Sequence, residues 1–195
     1  MVKGFIAIAV SLILMIFIAP VGAQQDKPST ATSQHEGQHS MKSMDQGSDG
    51  EIFAFLVAVD EHEVAAGKEA SQKATAPSVK QYAQTMVKEH SKHLDETQKL
   101  MNSLSLQPSD TSTVDQLKTE AESARKRLSE LTGPDLDAAY IDQMVKDHAS
   151  TLDHIDNHFM KATTNAKVLK HLEATRTAVA KHHEDAVRIQ GMLKK

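Results

Sequence analysis

Glu63, His90, His148 and His182 each interrupt an otherwise apolar helical stripe, and they come from four separate segments of the chain. One carboxylate oxygen and three imidazole nitrogens make a ligand shell for a single divalent transition metal, Zn, Fe, Mn, Ni or Cu, and that donor set leaves the ion's identity open. Cysteine is absent, which excludes thiolate ligands, disulfides and a lipid-modified cysteine. The same residues admit a metal-free reading, in which a protonated imidazole pairs with Glu63 and water completes a buried polar layer. His183 is the alternate to His182, because with Val179 and Ala186 it also fits a helical stripe.

Whether the four residues meet depends on the elements that carry them. Ile52, Leu56, Val59, Glu63, Ala66 and Ala70 recur at helical period and predict a first helix over about Asp49–Ala74, with Ser48-Asp49-Gly50-Glu51 as a capping box. A second helix begins near Pro77-Ser78, with Gln81 completing another capping box, and carries Val79, Tyr82, Met86, His90, Leu94, Thr97, Met101 and Leu104. The third, about Thr113–Leu131, has the uninterrupted seam Val114, Leu117, Ala121, Ala124, Leu128 and Leu131, closed by Gly133-Pro134. The fourth, about Asp135–Ala162, shows Ile141, Met144, His148, Leu152, Ile155 and Phe159. The fifth, about Asn165–Leu193, shows Val168, Leu172, Thr175, Val179, His182, Ala186, Ile189 and Leu193.

The segment Tyr82-Ala83-Gln84-Thr85-Met86-Val87-Lys88-Glu89-His90 recurs as Tyr140-Ile141-Asp142-Gln143-Met144-Val145-Lys146-Asp147-His148. The second and fourth helices are therefore variants of one unit, and the third runs back between them as a crossover. The expected fold is all-α, a ferritin-like up-down bundle of four core helices plus the crossover. The midpoint between Glu63 and His90 falls beside Pro77, and that between His148 and His182 at Asn165, so in antiparallel hairpins all four reach one level. Val59, Leu94, Leu152 and Val179 would enclose that level on one side, and Gly67, Met86, Met144 and Ala186 on the other. His62, His93, His154, His158 and His171 fall mostly off the stripes and read as solvated, as do Glu89 and Asp147, which could otherwise support the histidines from behind.

Residues 1–23 join Lys3, an apolar run from Phe5 to Ile18, and Pro20-Val21-Gly22-Ala23, the pattern of a cleaved secretory signal peptide. The run is shorter than the roughly 20 residues a membrane-spanning helix needs, so no stable membrane span is expected after cleavage. Residues 24–48 are poor in aliphatic side chains and read as a flexible polar tether, leaving 49–195 as the bundle domain. Within the tether His35, His39, Met41 and Met44 form a weak second metal segment, of a kind suited to copper. The net charge of −4, without a basic block, gives nucleic acid no footing.

Glu63-Val64 with Gly67 and Ala70, Met86 to His90, Gly133 with Leu136-Asp137 and Tyr140, Met144 to His148, and His182 together resemble the bacterial family known as domain of unknown function 4142. The resemblance covers roughly Glu51 to Leu193 and implies a ferritin-like bundle and an exported location, in the periplasm or associated with the outer membrane, but no reaction. Two positions depart from the family pattern. Leu136 stands where Phe is usual, and His183 follows His182 where an aliphatic residue is usual. No predicted helix holds Glu-x-x-His, so a ferritin-type di-iron site is not expected. The leading reading is an exported protein with one mononuclear metal site, working in metal handling or envelope stress. A metal-free scaffold acting through its helical surface is a second reading. A metal-dependent enzyme on small or reactive oxygen substrates is a third, for which the sequence shows no substrate route and no catalytic residue. The metal ion is the only partner the sequence points to.

Overall fold

In the computed structural model, residues 36–194 are described, with their side chains from Ser48 onward. The described residues form helical rods and no strand: α1 (Glu36–Lys73), α2 (Pro77–Ser103), α3 (Ser112–Ser129), α4 (Gly133–His154), which continues through a π-helical turn at Ile155–Phe159 into the short α5 (Met160–Ala162), and α6 (Ala166–Leu193). The all-α bundle expected from the periodicity is what the chain forms. α1 packs along α2 and α4 along α6, while α3 lies against α1 and α4 as the crossover. Gly67 permits the close approach of α1 to α2, since a Cβ there would come within 3.0 Å of the Ala83 carbonyl oxygen and of Val87 Cγ2.

Two helix starts differ from expectation. α1 begins at Glu36 rather than near Asp49, so it takes in part of the expected tether, and Ser48 to Glu51 lie inside the helix instead of capping it. That stretch is anchored laterally: the Gly50 carbonyl accepts from Ser109 N at 3.0 Å and Glu51 accepts from Thr111 Oγ1 at 3.0 Å. At α2 the N-cap is Ala76, with no side-chain cap of its own, so the Ser78–Gln81 box does not form. Asp137 of α4, buried, replaces it, accepting from Thr75 N at 3.0 Å, Ala76 N at 2.8 Å and Thr75 Oγ1 at 2.6 Å. A buried carboxylate is stable there because it takes up backbone donors that the helix end leaves unpaired.

The apolar core is divided in two. Ala66, Ala70, Val79, Met86, Met144 and Ile189 belong to one cluster, and Ile52, Phe53, Leu56, Ile155, Phe159 and Leu172 to the other. Between them runs a polar layer with Asp60, Glu63, His90, His148, Thr151, Thr175 and His182, all buried. The flank formed by Gly67, Met86, Met144 and Ala186 is buried as expected. On the opposite flank Val59 and Val179 are buried, but Leu94 and Leu152 are only half-buried; Thr97 and Thr175 go inside as their stripes predict, and Thr151, off the expected stripe, joins them. Threonine is tolerated at this depth because its hydroxyl can bond within its own helix, as Thr175 Oγ1 does by donating to the His171 carbonyl at 2.8 Å.

Candidate metal centre

α2, α4 and α6 each place one histidine in the polar layer, following the apolar stripe that packs each helix into the bundle. The rings of His90, His148 and His182 stand 5.2 to 5.9 Å apart, centroid to centroid. One ligand nitrogen from each lies within 4.8 Å of one from each of the others. Every ring is held from behind. His90 Nδ1 donates to Asp60 Oδ1 at 2.8 Å, His148 Nδ1 to the Met144 carbonyl at 2.7 Å, and His182 Nε2 to Glu89 Oε2 at 2.6 Å. The remaining nitrogens, Nε2 of His90, Nε2 of His148 and Nδ1 of His182, are buried and have no hydrogen-bond partner.

A hydrogen bond on one ring nitrogen fixes the tautomer, so the other carries a lone pair. Burial pulls His148 down to about 3, helped by His90 beside it, and keeps the ring neutral. His182 is also lowered, by burial first, against the opposing bond from Glu89. The unpaired nitrogens converge on one space, and an imidazole in its neutral form brings a lone pair and no proton there, so three such rings can coordinate a cation but cannot satisfy one another. His182 is buried and His183 only half-buried, so α6 offers His182 to the layer.

Glu63 is buried in the same layer, yet it groups with His62 and Asp147 rather than with the three histidines. Its Oε2 has no partner, and burial raises its carboxyl well above the usual range, with Asp147 and Asp60 adding to the rise. Tyr140 Oη is likewise buried without a partner, and the Tyr82 hydroxyl donates to the His182 carbonyl at 3.1 Å.

Of the carboxylates that hold the rings, Asp60 carries no assignment from the sequence, whereas Glu89 takes the supporting role that was its alternative to a solvated face. Asp60 accepts from His93 Nδ1 at 2.8 Å as well as from His90, and His93 Nε2 bonds Thr175 Oγ1 at 2.7 Å. His93 also stacks on His171, with centroids 4.9 Å apart and planes 1° from parallel, and His171 Nε2 bonds Thr97 Oγ1 at 2.9 Å. His93 and His171 are therefore structural, not solvated. Nor is His62 solvated, since its side chain is 8 % exposed and faces Asp147. His154, half-buried, stacks on Phe55 at 4.8 Å, whereas His158 is exposed as expected. A signal for Asp60 existed: it lies three residues before Glu63 and four after Leu56, on the same helical face. His35 lies outside the described residues, as do the side chains of His39, Met41 and Met44.

Among the described residues, no helix is long and apolar enough to cross a membrane. No curated protein and no solved structure matches the chain. A family match does extend over residues 31–189, taking in all the helices that build the polar layer, and the protein belongs to the family described as Domain of unknown function (DUF4142).

Proposed function

We propose that the protein is an exported metal-binding helical bundle that holds one transition-metal ion between His90, His148 and His182, in the service of metal handling or of the envelope under stress. The observation that carries this reading is the orientation of the three rings. Each has its outer nitrogen bonded and its inner nitrogen unpaired in a buried space shared with the other two. Three buried polar atoms without partners would each cost about 1 to 3 kcal/mol, and a coordinated cation offsets that cost at all three at once. Imidazole donors suit Zn, Cu, Ni and Fe. Export rests on the signal-like residues 1–23.

Elemental analysis of the protein, purified without chelators or a histidine tag, tests the proposal beside the His90→Ala, His148→Ala double variant. Close to one equivalent of metal in the parent and little in the variant supports it. Equal content in the two, or no uptake by the parent when metal is added back, refutes it.

A cavity of about 40 Å³ favours a second reading. It adjoins the histidines between α1, α2 and α6 and is lined by Glu89, His90, His93 and His182 among others. That space admits a water molecule to a fourth coordination position, the arrangement of catalytic rather than closed structural sites. Turnover of peroxide or of a hydrolysable ester by the metal-loaded protein, lost in His182→Ala, would establish it.

A further inference from the structure

The carboxylate of Glu63 lies in a separate group with His62 and Asp147, in which one ligand atom of each residue is within 4.8 Å of one from each of the others. α1 supplies the adjacent pair His62 and Glu63, and α4 supplies Asp147. All three line an open cavity of about 400 Å³ between α1, α3 and α4, whose rim includes Glu120, Arg127 and Lys146. We propose that His62, Glu63 and Asp147 form a second cation site, separate from the three-histidine centre, that takes a divalent ion preferring carboxylate oxygen.

Three features support it. Glu63 is 1 % exposed and its Oε2 has no donor, so the site contains a buried oxygen whose hydrogen-bonding capacity nothing in the protein meets. His62 Nε2 and Asp147 Oδ2 are 3.3 Å apart, long for a hydrogen bond between charged or polar groups, and a cation could enter with little loss. Asp147 is already oriented, because its other oxygen accepts from Gln143 Nε2 at 2.8 Å. Two carboxylates and one imidazole favour harder ions than three imidazoles do, and the cavity has room for the water ligands that Mn²⁺ or Fe²⁺ retains. The site stands on its own geometry and does not require the three-histidine centre to bind metal.

Mn²⁺ is the probe, with the free ion followed by electron paramagnetic resonance during titration of the full chain and of the variants His62→Gln, Asp147→Asn and His182→Ala. The expected result is that the parent and His182→Ala bind one Mn²⁺ with the same affinity, while His62→Gln and Asp147→Asn each bind at least about tenfold more weakly. His62→Gln and Asp147→Asn each keep a polar side chain of similar size in place, so melting curves of these two variants should remain close to the parent's. Absence of Mn²⁺ binding by the parent at millimolar concentration overturns the proposal. So does unchanged binding in both His62→Gln and Asp147→Asn, or loss of binding in His182→Ala, which would place the ion at the histidines instead.

Discussion

The polar layer contains two ligand groups built on opposite plans. The three histidines come from three helices, are buried, and have each outer nitrogen tied to a fixed acceptor. His62, Glu63 and Asp147 come from two helices, border an open cavity, and are held by one side-chain bond from Gln143 and one long contact. α4 contributes adjacent residues to the two groups, Asp147 to the open one and His148 to the closed one. The internal repeat makes the contrast sharper. Glu89-His90 and Asp147-His148 are the same acid-histidine pair in two copies, yet Glu89 supports His182 while Asp147 faces His62. Repeated local sequence has acquired different work because Glu89 of α2 faces α6 and Asp147 of α4 faces α1. A rigid, enclosed group is suited to retaining an ion, and an exposed one to exchanging it.

The largest test of this contrast is Asp60→Ala against Asp147→Ala in metal-free protein, read by urea unfolding. Asp60 is 1 % exposed and accepts from two histidines, so its loss leaves two ring N–H groups without an acceptor and should cost about 2 to 5 kcal/mol. Asp147 is half-buried, and its loss should cost less than about 1 kcal/mol. Equal costs would break the distinction between a closed and an open group.

Acid should act next most strongly, and on the closed group. His148 falls from 6.5 in the unfolded chain to about 3 in the fold, so the unfolded state binds the extra proton first. Its contribution to stability is present above pH 6.5 and is lost as the pH falls towards 3, an effect on the order of a few kcal/mol. Glu63 works the other way, because its raised carboxyl favours the fold as it takes up a proton. Denaturant midpoints across that range should therefore decline with acid in the metal-free parent and decline less in His148→Leu.

Glu89→Gln removes the charge behind His182 at an exposed position. It should weaken metal binding at the histidines by about tenfold while leaving the melting temperature of the metal-free protein nearly unchanged. The smallest effect is expected from His183→Ala, with metal content and stability both within error of the parent; a loss of metal there would move the α6 ligand from His182 to His183.

The bundle, its five rods and the positions of His90, His148 and His182 on buried stripes were legible because helical periodicity is a local property that single residues report. The same signal placed Glu63 inside but could not tell which neighbours its carboxylate would meet, since that depends on the rotation of α1 against α4. Periodicity also misjudged Leu94 and Leu152, where buried threonines and the Asp60–His93–Thr175 bonds take the interior space. It missed the start of α1 for a related reason: the residues from Glu36 carry no apolar stripe, so nothing local marked them as helix.

The sequence by itself determined which faces of which helices go inside, because the hydrophobic effect acts on residue type and spacing alone. Only the tertiary structure decided that Asp137 caps the turn before α2, that Asp60 and Glu89 hold the rings of other helices, and that Glu63 joins His62 and Asp147. Each of these is a hydrogen bond or a close approach between distant segments, whose geometry is set within tenths of an ångström by packing that no single segment contains.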